Sequence, residues 1–357
     1  MKLSFLGPLS LLILSTQVWS QSLDFRLGGN RYMLGMSGDY VESETVRARV
    51  LSIDVGGRIE GKLDEDLTYH VWLMGSFENG SNKATGVIAE YEPNQAINLR
   101  EGGLIYRPFS FLRLDVGSLN QNDFQSPLLV WNTAFAGLSQ KIEFAGFYLR
   151  AMQAIPNNNI LTRRAGGIDE GNPLFTTGTL GYQYSNDDVG VHLAFTRFSF
   201  NSLSSQVAIN SKDLGNSTNG VGTATRFLYG FEGNNFSSDV NYKLKKDWQI
   251  QANGQYLFNE KAPNGRNQGY LAEVGAGVAR FSVRAGTFKN ESDTSPAFYN
   301  ARTFGHNNVK GEVVSIVSQG QDSFMRISYV NSKTIGFNVH QTDMQIVNFS
   351  MVKNYDF

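Results

Sequence analysis

The side chains able to do chemistry are few and scattered. His70, His192, His306 and His340 lack the spacing of a metal-binding motif such as HExxH, and a chain with no cysteine has no thiolate to complete a zinc set. No metal and no cofactor is expected. Ser282 and Ser328 have no histidine motif beside them to act as a base. The adjacent glycines within Arg26 to Arg31 lack the GxGxxG order and the strand-to-helix context of a nucleotide site. What remains is charge at alternate positions. Arg113 and Asp115 lie between Leu112, Leu114 and Val116. Arg280, Ser282 and Arg284 alternate with Phe281, Val283 and Ala285, and Arg326 lies between Met325 and Ile327. Glu273 and Glu312 are acidic companions on comparable stretches. Fixed charges along one wet face can focus a field on passing solutes where low-dielectric walls confine the water.

The period of two identifies the elements that carry these charges, because successive side chains of a strand point to opposite faces. In Leu67 to Glu78, Tyr69, Val71, Leu73, Gly75 and Phe77 share one face. In Trp248 to Phe258 an apolar and aromatic face alternates with Gln249, Gln251, Asn253 and Gln255. The preceding run, Phe236 to Leu244, has matching faces across Lys245 to Asp247, which predicts a tight hairpin. The strands are about ten residues long, tight turns alternate with longer polar loops, and aromatics recur near strand ends; these features suit a bilayer-spanning sheet. Alternation by itself also fits a soluble exported β-sandwich.

Beyond the N-terminus there is no run of about 18 apolar residues, so helical spans are excluded. A membrane-spanning sheet must close, since an open edge would leave backbone groups unpaired in hydrocarbon. The expected fold is all-β: a closed antiparallel transmembrane β-barrel of sixteen strands, with fourteen or twelve as alternatives. Candidate strands begin near Val46, Leu67, Gln95, Ser110, Leu129, Ile142, Phe175, Val189, Gly222, Phe236, Trp248, Gln268, Arg280, Thr303, Ser323 and Asp343. This segmentation places the polar stretches Asn201 to Val221 and Asn290 to Arg302 on opposite sides of the membrane, so either one boundary in it is wrong or one long connection faces the periplasm. Residues 1–20 read as a secretory signal peptide, with Lys2 before an apolar stretch, Leu9 to Leu14, and a mature start at Gln21. Residues 21–45 are expected to form an N-terminal arm or inward segment, and 46–357 the barrel. A formal net charge of -1 gives no mandate for nucleic acid.

The chain ends DMQIVNFSMVKNYDF, with Val347, Phe349, Met351, Tyr355 and Phe357 on one face and Lys353 interrupting the row. This resembles the closing strand of Gram-negative outer-membrane β-barrel proteins, in which a terminal phenylalanine with an aromatic two residues earlier is an assembly signal. The resemblance assigns that role to Tyr355 and Phe357. Arg107 to Phe144, a strand and polar loop followed by another wall segment, is similar to the porin pattern. A porin-like channel for passive diffusion of small hydrophilic solutes or ions is the function this implies, and no enzyme activity. Arg113, Asp115, Glu273, Arg280, Arg284, Glu312 and Arg326 are the pore-lining candidates. Arg163, Arg164, Asp169 and Glu170 are candidates for a constriction loop. The implied partners are outer-membrane lipid and lipopolysaccharide, the barrel-assembly machinery and further copies in a homotrimer. Trp72, Met74, Phe111, Phe147 and Leu257 appear on otherwise polar faces and motivate the alternative, a structural or adhesive barrel with a plugged lumen.

Overall fold

The computed structural model describes residues 26–44, 46–84, 95–121, 126–131, 133–156, 171–245 and 247–356. The signal-peptide stretch, the four constriction-loop candidates and Phe357 lie outside the described residues. Among those described, sixteen strands form one closed antiparallel barrel. The wall runs through β1 (Arg26–Ser43), β2 (Val46–Lys62), β3 (Leu67–Ala84), β4 (Gln95–Phe109), β5 (Leu112–Asn120), β6 (Ala134–Phe144), β7 (Phe147–Ile155), β8 (Leu174–Ser185) and β9 (Val189–Asn201). After a helix, α1 (Ser205–Asp213), and a two-stranded pair, β10 (Thr218–Asn219) with β11 (Arg226–Phe227), the wall resumes. It continues with β12 (Phe231–Lys245), β13 (Trp248–Asn259), β14 (Gln268–Val278), β15 (Phe281–Asn290), β16 (Val309–Gln319), β17 (Ser323–Thr334) and β18 (Met344–Asp356).

Closure is made by β1, which pairs with β18 from Arg31↔Asp356 to Ser43↔Met344 and with β2 on its other edge. The stretch expected to be an arm is therefore the first wall strand. Its glycines and mixed polarity obscure the alternation, but Tyr32 and Leu34 face outward and Val41 is buried inside. Three expected strand starts are also corrected. Leu129 lies in a turn packed within the barrel, and Gly222 and Thr303 lie in short 3-10 segments. The region near Ile142 holds two strands, β6 and β7, joined by a two-residue turn in which Ala145 has φ 50° and Gly146 φ 85°. Missing β1 and adding a segment at Gly222 cancelled in the count. They did not cancel in the parity: without the Gly222 segment, the connections after β9 and β15 leave the barrel at the same rim.

That rim carries the longer connections, 121–133, 156–173, 202–230, 260–267, 291–308 and 335–343. The other rim carries the short turns 63–66, 110–111, 145–146, 186–188, 246–247, 279–280 and 320–322, together with the start of β1 and the end of β18. On the outer face, Leu51, Ile53 and Val55 of β2 and Val314 and Ile316 of β16 are exposed. Exposed Tyr106, Phe109, Phe144, Phe147, Trp248 and Tyr355 mark the short-turn end. An outward apolar band bounded by aromatic residues matches the cross-section of a bilayer. In β18, Val347 and Met351 point outward with Tyr355, and the Lys353 ammonium lies 5.9 Å from the Tyr355 ring centroid, as a snorkelling lysine would.

Candidate functional site: the barrel interior

The interior divides into two halves. Toward the long-loop rim the bore is filled by three inward-folded connections. Leu128, Leu129 and Val130 come from the first, Val207 of α1 from the second, and Tyr299, Ala301 and Phe304 from the third. They meet apolar side chains aimed inward by the wall, among them Phe135, Phe175, Phe198, Phe200, Leu257 and Phe288. Tyr299 sits in an aromatic cage, with its ring centroid 5.1 Å from Phe135 and 5.9 Å from Phe200. Its hydroxyl is buried with no hydrogen-bond partner among the described residues, and burial pushes the phenol pKa upward.

Side-chain amides tie the three connections together. The Asn216 amide donates to the carbonyls of Ser292 (2.7 Å) and Ser295 (3.0 Å), and its oxygen accepts from the Ala297 N–H (2.7 Å). The Asn307 amide donates to the Ser295 carbonyl at 2.7 Å, while its oxygen accepts from Asn300 at 2.6 Å. The Trp131 N–H donates to the Tyr299 carbonyl (2.7 Å), and the Ala301 N–H to the Pro127 carbonyl (2.8 Å). Gln255 of β13 fixes this assembly to the wall by accepting from the Leu128 N–H at 3.0 Å, and Arg302 pairs with Asp39 of β1. Buried backbone groups need such partners wherever a loop leaves water.

Toward the short-turn rim the interior is polar, and two cavities open there among the described residues. One, of about 490 Å³, is lined by Arg113, Asp115, Lys141, Arg150, His192 and Asp239. Its basic wall follows from strand register: Arg113 of β5 is paired with Lys141 of β6, and Lys141 with Arg150 of β7, so three cations stand in one cross-strand row. Like charges directly opposite repel, and neighbours offset them. Arg113 pairs with Asp115 at 2.8 Å, Lys141 with Glu143 at 2.8 Å, and the Arg150 Nε–H donates to Ser139 at 2.8 Å. The second cavity, of about 440 Å³, is lined by Gln251, Glu273, Arg284 and Arg326 on the wall and roofed by Trp131 and Phe304. Arg326 reaches Glu273 at 3.2 Å and donates to Ser328 at 2.9 Å.

Of the sequence candidates, Arg113 and Asp115 border the first cavity, and Glu273, Arg284 and Arg326 the second. Two are corrected. Arg280 lies in the turn between β14 and β15, exposed, with its guanidinium 5.0 Å from the Phe281 ring centroid, because the wall strand begins one residue later. Glu312 faces outward near the long-loop rim, since Val309 and Val313 of the same strand are buried inside and Val314 and Ile316 are exposed outside. Trp72, Met74 and Leu257 do point inward, but Phe147 faces outward and Phe111 stacks on Phe109 at a turn, 5.4 Å between centroids. Lys141, Arg150 and Asp239 were missed. The alternation of FYLRAMQAI would have exposed Arg150 had β6 and β7 been separated.

A closed barrel with an apolar outer belt and a charged interior is a transmembrane β-barrel. The fold is similar to that of Pseudomonas putida OprB in its high-pH structure, with 10% sequence identity, a TM-score of 0.60, and coverage of 93% of this chain and 94% of that one. It is similar to a loop-deletion mutant of OmpT, an outer membrane protein of Vibrio cholerae, with 11% identity, a TM-score of 0.53, and coverage of 93% and 99%. It is also similar to a mutant Rh. blastica porin, with 12% identity, a TM-score of 0.50, and coverage of 92% and 100%. No family model and no curated protein matches the sequence. At these identities the likeness is one of fold, and that fold is the porin-type, multi-pass β-barrel of the outer membrane.

Proposed function

We infer that the protein is a narrow channel for passive diffusion of small hydrophilic solutes or ions across the outer membrane, a conduit and not an enzyme. The observation that carries this reading is the pair of charged, water-compatible cavities in the short-turn half of the bore, with Arg113, Lys141 and Arg150 in one row. A wall built only to stand in a bilayer has no need of such a row, whereas a solute path has one. By likeness to porins, the short turns face the periplasm and the long loops the exterior. Outer-membrane lipid, lipopolysaccharide and the barrel-assembly machinery belong to the same reading. The experiment is stepwise conductance of the purified protein in planar bilayers; heat-modifiable protein that stays silent would defeat the reading.

The apolar packing of Tyr299, Phe304 and Leu128 against the inner wall favours a second reading, a structural barrel whose lumen is sealed at its outer half. Silent wild-type protein that begins to conduct once residues 292–307 are replaced by a short glycine-serine linker would support it.

A further inference from the structure

The second cavity gathers polar groups that the fold leaves unmet. Arg284 of β15 makes no hydrogen bond and no ion pair among the described residues, and its Nε is buried. The side chains of Gln251 and Asn253 of β13 make no hydrogen bond there either, and Gln251 Oε1 and Asn253 Oδ1 are buried. Buried polar atoms without partners are uncommon and costly in a folded protein, so three at neighbouring inward positions of one cavity point to a ligand that meets them. Asp239 of β12 accepts from Asn241 at 2.8 Å and has no ion-pair partner among the described residues. Glu273 and Arg326, in the same cavity, are paired with each other.

Register sets the four unpaired groups in order. Gln251 is paired with Asn241 on one side and Gly275 on the other, and Gly275 with Arg284; Asn253 is paired with Asp239 and with Glu273. A Cβ on Gly275 would stand 2.7 Å from the Arg284 Cγ, so the stem of Arg284 lies over this glycine, on the side of Gln251. Asp239 and Arg284 stand on strands three apart, roughly 14 Å between backbones at about 4.8 Å per strand spacing. The two unmet amides of β13 lie between them. Both charged side chains reach inward, which narrows that span to the length of a short solute.

We propose that this cavity binds a short zwitterionic peptide, its carboxylate on Arg284 and its ammonium on Asp239. This names the solute class for the channel inferred above and rests on that reading for how the solute arrives. A guanidinium meets a carboxylate through two parallel N–H donors, and the Asp239 carboxylate accepts from an ammonium. Gln251 and Asn253 each offer an acceptor and two donors, the complement of a peptide group lying between the two ends. The lining carries two carboxylates and two guanidiniums. A simple anion or cation would satisfy one of the unpaired charges and be repelled by the other, and a neutral sugar would leave both unmet. The cavity, of about 440 Å³, is of the size that holds small molecules.

The test is calorimetric binding to the folded, detergent-solubilised full protein, which does not depend on conductance. The probes are L-alanyl-L-alanine, its N-acetyl derivative without the ammonium, its C-terminal amide without the carboxylate, and glucose. The free dipeptide should bind saturably and each blocked derivative roughly tenfold or more weakly, the loss expected for one charge-assisted contact. In Arg284→Gln the free and amidated peptides should bind alike, and in Asp239→Asn the free and acetylated ones. No binding of the dipeptide, or binding of the blocked derivatives or glucose as tight as that of the dipeptide, overturns the proposal; these comparisons are made on the wild type and stand even where a variant fails to fold. Protein that binds the dipeptide as expected and stays silent in planar bilayers supports the site and defeats the channel reading. Protein that conducts and binds none of the probes defeats the site and leaves the channel.

Discussion

At the scale of the residue, position on the inner wall decides what a charge can do. Arg284 and Arg326 border the same cavity, and Arg326 is held by Glu273 and Ser328. Removing both positive charges while keeping Glu273 should shift a conducting pore toward cations, visible as a changed reversal potential in a salt gradient. Arg280→Gln, at the turn, should leave that potential unchanged, so a shift as large as that of the double variant would mean the path runs past the turn. Tyr299 offers a second residue-level test. Its hydroxyl is buried without a partner among the described residues, so Tyr299→Phe should be as stable as the wild type or more stable, by at most about 3 kcal/mol. Tyr299→Ala should cost about 3–5 kcal/mol through the cavity it leaves in the aromatic cage. A phenol whose pKa is raised by folding from its ordinary 10.0 contributes stability that is whole below that value and is lost as the pH rises through the folded value. Wild type should therefore lose thermal stability relative to Tyr299→Phe above about pH 10, and parallel melting curves in the two proteins up to pH 11 would refute this.

Among the elements, the inward-folded connections matter most, because they set how much of the bore is open. The segment between β15 and β16 is joined to the segment between β9 and β12 through Asn216 and Asp293, whose carboxylate accepts from the Ser217 N–H at 2.8 Å, and to β1 through Arg302 and Asp39. Shortening it should raise single-channel conductance several-fold while the barrel stays heat-modifiable, since none of its residues belongs to the wall. Conductance equal to wild type would place the limiting constriction in the short-turn half, beside Arg113, Lys141 and Arg150. The sequence marked this segment only as long and polar. Its Asn, Ser and Thr residues look like solvated loop chemistry, and the same side chains serve as buried donors and acceptors once the loop turns inward.

For the whole molecule, closure is the governing constraint. Without β1, both β2 and β18 would present unpaired backbone edges to lipid. Deletion of residues 26–43 should therefore abolish the heat-modifiable band and membrane assembly, whereas an arm lying outside the wall could be removed with assembly intact; recovery of folded barrel would refute the pairing of β1 with β18. Facing obeys the same constraint. Val283→Arg, on the lipid side of β15, should destabilise the barrel by about 2–4 kcal/mol, and Ser282→Arg, on the inner face of the same strand, should cost less in the same unfolding titration.

The sequence alone determined the class of this protein, its period of two, the face of nearly every recognised strand, and a terminal strand with an outward aromatic at Tyr355, because which side chain points to lipid and which to water is a local property of a strand. It placed Arg113, Asp115, Glu273, Arg284 and Arg326 on the inner face for the same reason. Tertiary structure decided what pairs with what. That β1 is wall, that Arg113, Lys141 and Arg150 form one row, and that Phe135, Phe200 and Tyr299 close an apolar core inside a membrane barrel depend on register across strands and on loops returning to meet distant residues. Those contacts join positions far apart in the chain, and no local periodicity encodes them.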